Sequence, residues 1–223
     1  MEVAGRTVDL EPNFGDGSAI HGQVFGRAWD VVGDAWLRVA GGDEGWPWRY
    51  EVGLRVTLDR RTLTLAYGLT NRSEDPMPAG IGLHFWFRRP LELRVPADAV
   101  YPANSASPAR PEPVSGDFDL RSPGRPAPGL DATWTGVTPP VVELAWPDEG
   151  IRATLEVATS GPLLVAVATP PDREAIAVEP QTHGPDSLRR LRDGEPDALR
   201  PLEPGASLDL EIRLTVESDA AYR

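Results

Sequence analysis

Leu208-Asp209-Leu210-Glu211-Ile212-Arg213-Leu214-Thr215-Val216-Glu217 alternates apolar and polar residues without a break. In an extended chain successive side chains point to opposite faces, so this period of two gives a strand with one dry face. The same pattern runs through Tyr50, Val52, Leu54, Val56 and Leu58. After Asp59-Arg60-Arg61 it resumes in Leu63, Leu65, Tyr67 and Leu69. Two such runs joined by a short polar break predict an antiparallel hairpin. Further strands are expected over 20–32, 35–40, 80–88, 91–95, 141–146, 151–158, 163–168 and 175–179. Roughly a dozen strands separated by turn signals indicate an all-β, antiparallel sandwich.

Composition supports this. The chain has 223 residues with 22 glycines and 24 prolines, and breakers at that density leave little room for long helices. The helix-like stretch Asp186 to Arg192 is too short to organise a domain. A Pro-, Ser-, Gly- and Arg-rich segment at about 102–128 is expected to cross the surface as a long loop, since proline offers no ladder donor. Strands on both sides of it look alike, so residues 1–223 are expected to form one domain.

The formal charge of −12 repels phosphate backbones and anionic lipid surfaces, so neither nucleic acid nor membrane is expected as a partner. All 22 basic residues are arginine, which excludes lysine Schiff-base chemistry. With no cysteine there is no disulfide, zinc thiolate or thiol nucleophile. The start Met1-Glu2-Val3-Ala4-Gly5-Arg6 has no signal-peptide pattern, and no apolar run is long enough to cross a bilayer. A cytoplasmic location is expected by default, and oligomeric state is left open.

Three histidines are present: His21 before Gly22, His84 within Gly80-Ile81-Gly82-Leu83-His84-Phe85-Trp86-Phe87, and His183 in a turn. Taken singly, each is better explained as an ordinary partly buried or loop histidine. Glu179 ends the apolar run Ala175-Ile176-Ala177-Val178 and precedes Pro180, which places a carboxylate where a core strand leaves the sheet. A carboxylate base and an imidazole acid on opposite sides of a small polar ligand form a general acid/base pair.

Ile20-His21-Gly22 followed by Trp29, then Leu69-Thr70-Asn71-Arg72-Ser73-Glu74-Asp75-Pro76-Met77-Pro78 running into Gly82-Leu83-His84-Phe85-Trp86-Phe87, resembles the aldose 1-epimerase (galactose mutarotase) family. Leu130-Asp131 before Trp134, Val178-Glu179-Pro180-Gln181-Thr182 and Leu202-Glu203-Pro204-Gly205 follow in the family's order. The resemblance implies a large antiparallel β-sandwich, the galactose mutarotase-like supersandwich, with a sugar cleft. It implies interconversion of the α and β anomers of an aldose without cofactor or metal. His84 matches the family's acid and Glu179 its base, while His21 and Asp131 match positions that bind sugar hydroxyls. Trp29 and Trp86 lie nearest the motifs and are candidates to stack on a pyranose, and Gln181 joins the substrate-binding set. The chain departs from the pattern in two places. Phe85 stands where the family has proline, and the family's upstream Asn-Arg pair has no match before His21, as if an N-terminal segment were missing. Arg27 is the candidate to replace that arginine. The expected partner is a small-molecule sugar. The alternatives are a non-catalytic carbohydrate-binding protein on the same fold and a hexose-6-phosphate 1-epimerase.

Overall fold

The Ser207–Ser218 strand lies in the middle of an eight-stranded antiparallel sheet, and Leu208, Leu210 and Ile212 on its dry face are fully buried. The computed structural model describes residues 1–15, 17–42, 45–103 and 110–218. The strand order in this sheet is Asp30–Val31, Trp36–Gly41, Tyr50–Asp59, Thr62–Asn71, Ser207–Ser218, Ile151–Thr159, Val142–Trp146 and Glu92–Arg94. The expected hairpin is present: Tyr50 pairs with Asn71 and Asp59 with Thr62, and Arg60 takes a positive φ in the turn.

A second sheet of six antiparallel strands runs Glu112–Pro113, Ala99–Pro102, Asp131–Thr135, Leu164–Ala168, Ala175–Gln181 and Phe85–Arg88. Its longer strands send residues inward. Val100, Ala132, Trp134, Val165, Val167, Ile176 and Val178 share one hydrophobic cluster with Val52, Leu144, Leu155, Leu208, Leu210 and Ile212 of the larger sheet. The all-β sandwich read from the sequence is therefore the observed architecture. Small ladders of Glu2–Val3 with Arg6–Thr7 and of Met77–Ala79 with Arg200–Leu202 flank the sheets. The helix Ser187–Asp193 is confined to one crossing, and among the described residues no helix is long and apolar enough to span a membrane.

Three expectations are corrected. The strand expected over 20–32 is reduced to Asp30–Val31; His21 and Gly22 both have positive φ, which no strand accommodates. This loop ties itself together through Trp29 Nε1 donating to the Val24 carbonyl and Arg27 Nε donating to the Gln23 carbonyl. The strand expected over 175–179 runs on to Gln181, so Glu179 lies inside the sheet. Pro180 is tolerated there because a residue's N–H and C=O face the same antiparallel neighbour. Leu83 N–H donates to the Pro180 carbonyl at 3.0 Å, so the missing donor falls on the short edge segment and spares the ladder to Leu164–Ala168. The Pro-rich segment also contributes to the core: Glu112–Pro113 pairs with Ala99 and Val100, and Val114 and Leu120 are buried. Residues 104–109 of it lie outside the described residues.

The central strand should dominate stability. Leu210→Ala is expected to cost about 2–5 kcal/mol, whereas Leu58→Ala, at a side chain 73% exposed, should stay within about 0.5 kcal/mol. Urea unfolding of both variants measures the difference.

Candidate active site

Gly80-Ile81-Gly82-Leu83-His84-Phe85-Trp86-Phe87 divides by parity. Phe85 and Phe87 pack on the core, so Gly82, His84 and Trp86 belong to the opposite, outward face of the six-stranded sheet. The pairing of Phe85 with Val178 and the bridge between Gly82 and Gln181 share one register, which sets His84 directly across from Glu179. His84 Nε2 lies 3.2 Å from Glu179 Oε1. The two groups therefore stand side by side, rather than across a ligand from each other, because adjacent strands are only about 4.8 Å apart.

The ladder extends this arrangement sideways. Glu179 pairs with Ala166, which pairs with Thr133, which pairs with Tyr101. One row further, Trp86 pairs with Ala177, Ala177 with Ala168 and Ala168 with Asp131. Paired residues share a face, so three alanines form a low floor between His84, Trp86 and Glu179 on one side and Asp131 and Thr133 on the other. The wall beyond Tyr101 is built by the 183–199 segment. Tyr101 donates its hydroxyl hydrogen bond to Asp197 at 2.7 Å, and the buried Arg190 guanidinium sits 4.6 Å from its ring centroid.

His21 reaches the site from its loop, its ring centroid 5.3 Å from that of His84, with Phe14 and Phe25 edge-on around it. Trp86 stacks on His84 at 5.1 Å. Gln181 shares the Glu179 face, and its amide donates to the His183 carbonyl at 2.9 Å. Asp131 stands across the floor. Trp29 and Arg27 have other neighbours. Trp29 is packed against the core. Arg27 donates to the carbonyls of Gln23 and Ala40 and lines a cleft of about 410 Å³ with Arg49, Tyr50 and Arg72, which neither His84 nor Glu179 borders.

Burial sets the chemistry of the pair. The side chains of His84 and Glu179 are 34% and 19% exposed. Desolvation pushes the Glu179 carboxyl up to about 7, and the Asp131 carboxylate pushes it the same way. Desolvation lowers His84, helped by the nearby His21 and Arg173. Burial also raises Asp131. Burial thus drives both partners toward their neutral forms. Among the described residues no three His, Asp or Glu side chains are grouped to hold a metal ion.

Two residues on this site escaped the sequence reading. Thr133 is on the Asp131 face by simple alternation, a signal present in Asp131-Ala132-Thr133. Arg173 reaches Trp86 from a turn, for which the sequence carries no signal.

An imidazole and a carboxyl thus share one outer face of an antiparallel β-sandwich, and comparison with known proteins gives the family. The family model for aldose 1-epimerase matches residues 1–215, and the chain belongs to that family. It is 26% identical over 235 residues to the uncharacterized protein YphB of Escherichia coli K12, covering 96% of this chain and 77% of YphB. Among solved structures it is similar to a candidate aldose 1-epimerase from Escherichia coli K12, with a TM-score of 0.78 and 23% identity over 96% of this chain and 77% of that one. It is also similar to a galactose mutarotase-like protein from Clostridium acetobutylicum, with a TM-score of 0.67 and 15% identity over 86% and 65%. At these identities the structural likeness speaks for the fold.

A carboxyl held protonated by the folded chain costs stability as pH rises from its ordinary value of 4.5 to about 7. Glu179→Gln removes that cost. The variant is expected to match the parent near the lower end of this range and to exceed it above the upper end by up to about 3 kcal/mol, less whatever the His84 contact returns. Urea midpoints on either side of the range test this; an equal difference at both ends would refute the protonated carboxyl.

Proposed function

We propose that the protein is a mutarotase, an isomerase that interconverts the α and β anomers of an aldose by opening and reclosing the sugar ring. The observation that carries this reading is the 3.2 Å contact between His84 Nε2 and Glu179 Oε1 on one half-buried face. The ring oxygen and the anomeric hydroxyl of a hemiacetal are bonded to the same carbon, so an acid and a base must stand side by side to reach both at once.

Glu179 takes the proton of the anomeric hydroxyl while the His84 imidazolium gives one to the ring oxygen. The bond between C1 and the ring oxygen breaks, leaving an aldehyde at C1 and a hydroxyl at the former ring oxygen. Rotation about the C1–C2 bond presents the other carbonyl face. The hydroxyl then attacks C1 and passes its proton to His84, as Glu179 returns its proton to the carbonyl oxygen. The pair ends as it began. While the sugar is open, the pair is a carboxylic acid and a neutral imidazole, the form that burial, Asp131, His21 and Arg173 all favour. The surroundings thereby lower the cost of ring opening. His21 and Asp131, with Thr133 beside it, offer donors and acceptors to sugar hydroxyls from both ends of the alanine floor. Trp86 contributes to the apolar side of the cleft.

Activity needs one proton on the pair. The profile of kcat/KM is expected to be bell-shaped, with limbs that belong to the pair jointly and an alkaline limb close to the Glu179 value of about 7. Asp131→Asn removes a repelling charge and should move that limb to lower pH. Polarimetry on freshly dissolved α-glucose and α-galactose, corrected for the spontaneous rate, provides the test. Glu179→Gln and His84→Gln should each lower kcat by about 10²-fold or more. Undiminished rates in either variant, or no acceleration by the parent with any aldose, would overturn the reading.

A further inference from the structure

Trp86 is 44% exposed on the His84 and Glu179 face, yet its ring is not bare. His84 stacks on it with an interplanar angle of 28°, and the Arg173 guanidinium carbon lies 5.0 Å from its centroid. His84 precedes Trp86 on its strand, while Arg173 belongs to the turn leading into Ala175, which pairs with Arg88 beyond Trp86. The order along the face is therefore His84, Trp86, Arg173.

The turn that carries Arg173 is itself held down. Arg173 N–H donates to the Pro170 carbonyl, Arg89 N–H donates to the Glu174 carbonyl, and the Arg89 guanidinium donates to the Pro170 carbonyl. A planar guanidinium over an indole is the favoured cation–π geometry, and lysine does not reproduce it. Without that cap, a side chain exposed to this degree would be able to change rotamer and leave one flank of the imidazole without support. The other neighbours of His84 are His21 edge-on and Glu179 at Nε2. His21 comes from a loop, so Trp86 is the neighbour fixed on the same strand.

We propose that Arg173 is a positioning residue for the His84–Glu179 pair: its guanidinium pins Trp86 against the imidazole and so fixes the direction in which Nε2 points. The kinetic consequence rests on the mutarotase reading; the geometric consequence does not. The same cation also bears on titration. The charged or titratable groups facing His84 are Glu179 from the adjacent strand, His21 from the N-terminal loop and Arg173 from the turn, with Asp131 acting on Glu179 across the floor. Removing a cation favours the imidazolium, so the His84 midpoint should rise in Arg173→Ala.

The test is NMR titration of the His84 ring proton, assigned by its loss in His84→Gln, alongside polarimetry. In Arg173→Ala the ring-current shift that Trp86 imposes on His84 should shrink, the His84 midpoint should rise, and kcat should fall about tenfold with KM little changed. Arg173→Lys should restore the midpoint while the ring-current shift and kcat stay reduced, since charge returns without the planar cap. In a Trp86→Ala background, Arg173→Ala should cost no further kcat. An unchanged His84 shift and midpoint in Arg173→Ala, or a kcat loss equally large without Trp86, would overturn the proposal. If the parent does not accelerate mutarotation, the mutarotase reading falls, while the NMR arm still decides whether Arg173 positions His84.

Discussion

The register between the Ala175–Gln181 strand and the segment that enters Phe85–Arg88 is the constraint on which the rest of the structure depends. Along the first strand, Ile176 and Val178 face the core while Ala177, Glu179 and Gln181 face outward. Along the second, Phe85 and Phe87 face the core while His84 and Trp86 face outward. A slip of either strand by one residue would drive Glu179 or His84 into the apolar interior and expose Val178 or Phe85. Burying an unpaired carboxyl there costs several kcal/mol by the usual transfer scales. The hydrophobic core therefore enforces the alignment that brings His84 and Glu179 together. The glycines permit it: a Cβ on Gly82 would lie 3.1 Å from Gln181 Cβ, and one on Gly80 would lie 2.6 Å from His183 Nδ1.

The electrostatics follow from that placement. A site on the outer face of a sheet would ordinarily be wet, and its carboxyl would stay ionised at neutral pH. Here burial moves Glu179 and His84 in opposite directions, each toward its neutral form. Such an arrangement is costly to the fold, because a buried carboxyl gives up the solvation of its charged form. The charges that tune it come from three different elements, so no local motif encodes the proton balance.

Much of the architecture was legible in the chain. The alternation in Tyr50–Asp59, Thr62–Asn71, Ile151–Thr159 and Ser207–Ser218 needs no partner to be read, because a strand with one wet and one dry face writes its period directly into the sequence. The motifs around His84 and Glu179 mark both as candidates, whereas their contact at 3.2 Å is not readable there. The loop over 20–29 was misread: its apolar residues mimic a strand, and the positive φ at His21 that breaks it is invisible in composition. Arg27 is a candidate for the sugar site on sequence proximity to His21, and its guanidinium donates to the carbonyls of Gln23 and Ala40.

By itself, then, the sequence determined the strands, the sandwich and the presence of an imidazole and a carboxyl at two strand segments, since each of these depends on periodicity or on residue type within a few positions. Tertiary structure alone decided that His84 and Glu179 touch, that Asp131 opposes Trp86 across two alanines, and that Arg173 caps Trp86. Those relations join residues tens of positions apart through hydrogen-bond ladders and turns, and the distance between two side chains is set by the packing of both sheets together.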